Sequence, residues 1–175
     1  MDSFWGNIFA NKNPEGREAI LSILRKIPVF ADLKPRELKE FERVLHRREF
    51  EKGEVIFREG EPGVGMYIIY KGSVGIFKNT PSGGEELLAE LKPGEFFGEM
   101  ALLDESPRSA TAKALEDSII LGLFQPDLFD LIERKPKLGT KILLNLAHII
   151  GERLRRTNAE LQQLREKLVE SNIVY

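Results

Sequence analysis

Between Phe97 and Thr111 the chain carries Gly98-Glu99 and, after a short polar stretch, Pro107-Arg108-Ser109. These residue types suit one kind of chemistry. A guanidinium presents a fork of donors that matches a phosphate. An ionised carboxylate can only accept hydrogen bonds, so it would repel a phosphate but hold a sugar hydroxyl. The piece Glu99–Leu103 reads as a short helical segment, whose N-terminus offers free backbone N–H groups to an anion. Gly98, just before it, allows a close backbone approach or an unusual conformation. With Arg108 on a phosphate and Glu99 on a ribose hydroxyl, the pair specifies a nucleotide whose phosphate and ribose lie close together. A cyclic phosphate meets that condition, and its single negative charge suits one arginine.

The elements around this segment fall into three regions. The first, to about Arg47, has helical spacing. Ala19, Ile20, Ile23, Leu24 and Ile27 form one run that Pro28 ends, and Leu38, Phe41, Val44 and Leu45 form another. His46-Arg47-Arg48 reads as the solvated end of that second helix. From about Arg48 to Gln125 the period changes. Val55–Phe57, Met66–Tyr70, Val74–Phe77, Leu87–Ala89 and Ile119–Phe124 are short and rich in strand formers, with Gly and Pro turn signals between them. Many short strands at this spacing suggest a barrel, roll or jelly roll. After the segment described above, the chain is expected to return to a strand at about Arg108.

The third region opens at Pro126 with a short helix, Asp127–Arg134, followed by a long helical pattern to about Glu170. There Leu143, Ala147, Ile150, Leu154, Thr157, Leu161, Leu164 and Leu168 alternate steps of four and three. That is a heptad seam, and it predicts a two-stranded coiled coil and hence a homodimer. Thr157 is the one polar residue in its outer half, where a polar side chain costs stability unless it has a partner.

The segment Phe97-Gly98-Glu99, Ala101-Leu102, Pro107-Arg108-Ser109-Ala110-Thr111 resembles the phosphate-binding cassette of the cyclic-nucleotide-binding domains. The likeness continues into Ile27–Leu33, Phe50–Phe57 with Glu59-Gly60, and Met66–Gly72. The resemblance implies an α+β fold: an eight-stranded β-roll of the jelly-roll kind, with N-terminal helices and a long C-terminal helix. It divides the chain into an N-terminal helical segment (1–27), a nucleotide-binding roll (28–135) and a lid and dimerisation helix (136–175). It also implies roles for particular residues. Glu99 takes the ribose 2′-hydroxyl, with help from the Gly98 N–H. Arg108 takes the exocyclic phosphate oxygens, Ser109 adds a hydroxyl, and the Ala110 N–H completes the cradle. Met100, Ala101 and Thr111 belong to the same site, and Leu88 and Ala89 on the preceding strand line the pocket. Thr157 and Asn158 fall where the dimer helix of such proteins meets the base, which favours cAMP over cGMP. The ligand is a cyclic nucleotide, with no metal.

Composition narrows the alternatives. The 175 residues carry a formal net charge of -2, whereas a nucleic-acid binder is usually basic or carries a basic stripe. A metal enzyme on a similar barrel needs clustered ligands, and His46 and His148 are far apart in a chain without cysteine. The lack of cysteine and of a secretory leader fits the cytoplasm, and no apolar stretch is long enough to span a bilayer. The expectation is a binding module that signals to an unidentified effector, not an enzyme. A second reading is a truncated or partnered DNA-binding regulator, because the chain stops at Tyr175 without room for a helix-turn-helix. Phe4, Trp5, Ile8 and Phe9 are expected to pack against the body.

Overall fold

The computed structural model describes residues 14–104 and 106–172, so Phe4, Trp5, Ile8 and Phe9 lie outside the described residues. Helix α1 (Pro14–Leu24) begins on a proline, whose fixed φ suits a first turn. Helix α2 (Pro35–Glu42) also opens on proline, and the Lys34 N–H donates to the Glu37 carboxylate at 2.7 Å. That bond is the main reason the Glu37 carboxyl titrates below its ordinary value. The second helix is shorter than its apolar spacing predicts. The N–H groups of Val44 and Leu45 turn back to the carbonyls of Phe41 and Glu42, and strand β1 (His46–Phe50) follows at once. His46, Arg47 and Arg48 are therefore strand residues and not a helix end. Pairing with a neighbouring strand overrides local spacing here, and the charged side chains of β1 suit an edge position.

The remaining strands are β2 (Val55–Phe57), β3 (Gly65–Lys71), β4 (Val74–Asn79), β5 (Glu85–Leu91), β6 (Phe96–Phe97), β7 (Thr111–Ala114) and β8 (Ser118–Phe124). They form two antiparallel four-stranded sheets, β1-β8-β3-β6 and β2-β7-β4-β5. This is the eight-stranded roll that the resemblance implies. Successive residues of a strand face opposite ways, and β3 buries both faces. Tyr67 and Ile69 point into the roll with Phe50, Val74, Phe97, Ala112, Ala114 and Ile120. Met66 and Ile68 point out, into a second core beneath the helices.

Helix α3 (Gln125–Arg134) and helix α4 (Pro136–Asn172) complete the chain. The second core gathers Leu21 and Leu24 of α1, Leu38 and Phe41 of α2, Leu128 and Leu131 of α3, and Leu138, Ile142 and Leu146 of α4. Asn145 ties α4 to the loop before α2, donating to the Val29 carbonyl at 2.9 Å and to Asp32 at 2.7 Å. From Leu154 to Val169 every side chain of α4 is exposed. One helix thus has a packed first half and a second half that leaves the body. Among the described residues no helix is long and apolar enough to cross a membrane.

Candidate functional site

Strand β6 delivers the chain to Gly98, which sits at φ 71°, in the left-handed region. A Cβ there would lie 2.6 Å from Arg108 Nη1. The left-handed backbone calls for glycine, and a Cβ would also push on the Arg108 guanidinium. Arg108 Nη1 donates to the Gly98 carbonyl at 3.1 Å, so the two ends of the loop are bonded to each other. The piece between them is a 3₁₀ turn over Glu99–Leu102, not a helix to Leu103, and the strand resumes at Thr111, not at Arg108. Leu102 anchors the turn in the core beneath the helices, and burying one leucine contributes about 1.5–3 kcal/mol. Ala101 is buried and Met100 faces outward. Gly63 lies against the turn so tightly that a Cβ would come within 2.5 Å of the Ala101 Cβ.

Arg108 is only 6% exposed. Its backbone is held on both sides, with its N–H on the Glu61 carbonyl and its C=O accepting from Gly60 N–H, each at 2.8 Å. The guanidinium carbon lies 4.2 Å from the centre of the Phe57 ring and 5.5 Å from that of Tyr67. Burial lowers its pKa, while Tyr67 and Glu61 pull the other way, and a guanidinium remains charged throughout the physiological range. Among the described residues no carboxylate forms an ion pair with it, and its Nε is buried without a hydrogen-bond partner. Aromatic faces offset part of the cost of burying the charge. The remaining donors are what an anion would take, and a phosphate suits a guanidinium fork.

Glu99 is 8% exposed and is held from outside the roll. Arg153 of α4 donates to its Oε1 at 2.6 Å and lies with its guanidinium carbon 4.5 Å from the centre of the Phe96 ring. A carboxylate has more than one acceptor position, so Glu99 can hold Arg153 and still accept from a hydroxyl. Thr157 and Asn158 lie one turn further along α4 and are exposed. The structure therefore brings Arg153 to the loop and does not bring them.

On the other limb Ser109 is exposed, Ala110 is half-buried, and Thr111 is buried with its hydroxyl accepting from Glu59 N–H at 3.0 Å. Lys78 Nζ donates to the Ser109 carbonyl at 2.7 Å and to Glu59 Oε1 at 2.5 Å. Leu88 and Ala89 are exposed on β5, with Ala89 opposite Ile76 of β4. Arg153, Lys78 and Glu59 are the residues that sequence reasoning missed. Arg153 sits beside the heptad seam, where an arginine reads as solvated surface. Lys78 carried a usable signal. It lies two residues beyond Ile76, on the face that Val74 and Ile76 turn into the roll.

A roll of two four-stranded sheets, with a buried arginine and a buried glutamate on one glycine-started loop, defines a class of ligand-binding domain. The sequence profile of the cyclic nucleotide-binding domain matches residues 47–135. The chain is 38% identical over 148 residues to the cyclic AMP receptor protein of Thermus thermophilus, covering 85% of this chain and 67% of that one. It is 38% identical over 117 residues to a cyclic nucleotide-gated potassium channel of Mesorhizobium japonicum, covering 67% of this chain and 31% of the channel. The solved cyclic nucleotide-binding domain of Methylobacillus flagellatus superposes with a TM-score of 0.73 at 29% identity, over 83% of this chain and 82% of its own. The chain belongs to the cyclic nucleotide-binding domain family.

Proposed function

We infer that this chain is a cAMP-preferring sensor in which the roll captures the ligand and α4 carries the response. The observation that supports it best is Arg108, a buried cation whose Nε has no partner and which faces the glutamate limb of the same loop. Arg108 takes the phosphate and Glu99 takes the ribose 2′-hydroxyl. The N–H groups of Gly98 and Ala110 and the Ser109 hydroxyl complete the cradle beside Met100 and Ala101. Leu88 and Ala89 line the base side, with Thr111 behind. In this division residues 28–135 hold the nucleotide, 136–175 form lid and dimer helix, and 1–27 support them. No catalytic step is assigned, and no metal takes part. Similarity to both a receptor protein and a gated channel supports reading the unit as a transferable sensor.

Helix α4 suits the output because it touches the site and then leaves the body. Arg153 binds Glu99, while Leu154, Leu161 and Leu164 present an apolar stripe, at 60%, 46% and 57% exposure. Such a stripe at heptad spacing calls for a second helix. A parallel pair would bring Thr157 and Asn158 of the two chains to the bases. Ligand can shift α4 only by binding its two positions differently, and the Glu99–Arg153 bond is a contact that differs between them. Calorimetric titration with cAMP, cGMP and 5′-AMP tests the reading. cAMP is expected to bind tightest and 5′-AMP, with its doubly charged open phosphate, weakest. Equal affinity for cAMP and 5′-AMP would overturn it. Sedimentation of the Leu161→Glu, Leu164→Glu variant should show a folded monomer in place of the wild-type dimer.

A further inference from the structure

We propose that Lys78 and Glu59 form a latch that holds the phosphate limb of the cradle in its binding shape before ligand arrives. The inference rests on the sensor reading above and adds two positioning residues to it. Among the described residues neither side chain forms a hydrogen bond or ion pair with Arg108. Both act on the residues that follow it.

Four bonds make the latch. Lys78 Nζ bridges the Ser109 carbonyl (2.7 Å) and Glu59 Oε1 (2.5 Å). The second carboxylate oxygen of Glu59 accepts from Asn79 N–H at 3.1 Å, and its backbone N–H donates to the Thr111 hydroxyl at 3.0 Å. The segment 109–111 is thereby strapped to β4 and to the residues before Gly60. Strand pairing begins only at Thr111, so Ser109 and Ala110 lie outside the β4–β7 ladder, which starts at Phe77 opposite Thr111. Without Lys78 the Ser109 carbonyl would lose this side-chain tie to the roll. A lysine two residues past Ile76 would ordinarily extend into solvent from the open end of the strand. Here a carboxylate and a carbonyl hold it over the loop.

The physical consequence is preorganisation. A cradle whose N–H groups already converge spends less binding free energy on ordering itself. Glu59 has a second effect, since it keeps the Lys78 ammonium drawn towards Ser109.

The test uses the full chain in two arms. One is calorimetric titration with cAMP, and the other is hydrogen exchange without ligand. Lys78→Met and Glu59→Gln should each weaken binding about 3–10-fold, and the double variant should be no weaker than Lys78→Met by more than about twofold. Lys78→Arg should restore most of the affinity. In ligand-free Lys78→Met the amides of 109–111 should exchange at least about fivefold faster, with those of 99–102 unchanged. Wild-type affinity in Lys78→Met overturns the inference, as do additive losses in the double variant. Faster exchange spread evenly over the roll also overturns it, because that marks a general loss of stability. If the wild-type chain binds neither cAMP nor cGMP, the sensor reading fails, and the exchange arm alone decides whether the latch exists.

Discussion

The two limbs of the ligand loop each carry one buried charged residue, Arg108 and Glu99, yet they are held in opposite ways. The arginine limb, 107–111, is tied inside the roll. The Arg108 backbone bonds to Gly60 and Glu61, the Ser109 carbonyl accepts from Lys78, and the Arg108 guanidinium lies on Phe57 and Tyr67. The glutamate limb, 98–102, is tied outside it, through Glu99 to Arg153 of α4. On the proposed sensor reading, the difference gives the limbs different tasks. A limb anchored in a closed sheet can hold a phosphate in a fixed place. A limb anchored to a helix that leaves the body can pass a change on to that helix. The bond Arg108 makes to the Gly98 carbonyl is where the two meet.

The comparison breaks first at Arg108. Arg108→Leu removes a buried cation of the site, and losing the partner of a desolvated charge costs roughly 2–5 kcal/mol of binding. Calorimetry should show at least a thirtyfold loss for cAMP, on the order of 2 kcal/mol. An unchanged affinity would place the phosphate elsewhere. Glu99→Ala should cost less, about 1.5–3 kcal/mol for a hydrogen bond to a charged group. It should also erase the preference for ribose over 2′-deoxyribose, which Arg108→Leu should leave in place.

Arg153→Met separates the tether from the ligand contact. Its side chain is partly exposed, so the direct effect on cAMP affinity should be small, about 0.5–1 kcal/mol. The larger readout is hydrogen exchange with and without cAMP. In the wild-type chain protection should rise in both 97–111 and 143–161, and in Arg153→Met the second rise should shrink while the first persists. Protection confined to the loop in the wild type would make α4 a clamp alone. The smallest effect concerns the arginine limb and pH. The Glu59 carboxyl titrates below its ordinary value of 4.5, chiefly because Lys78 donates to it. A depressed carboxyl stabilises the fold above its unfolded pKa and loses that contribution as pH falls through its folded value. Thermal unfolding of wild type and Glu59→Gln should therefore differ by a constant amount from neutrality to about pH 5, and the difference should close at lower pH.

The loop was legible in the sequence because its chemistry is local. Gly98, Glu99 and Arg108 stand close together in the chain, and their types alone call for a phosphate beside a hydroxyl. Most strands of the roll were legible for a similar reason, since short runs of strand formers between turn residues mark them without help from distant contacts. Val44 and Leu45 misled because their apolar spacing continued a helix, and only the pairing of His46–Phe50 with Ser118–Phe124 shows where it stops.

What the sequence by itself determined was that Gly98, Glu99 and Arg108 share one short loop, and that a helix carries more apolar length than one roll can cover. What only the tertiary structure decided was the company those residues keep. It brought Arg153 to Glu99 across 54 positions and Lys78 to the Ser109 carbonyl across 31. Arg153 has no signature in spacing, and Lys78 has only its place two residues beyond Ile76 on β4, which does not name its partner. A long side chain on a strand or helix reads the same whether it ends in water or on a buried partner, and closure of the roll determines which.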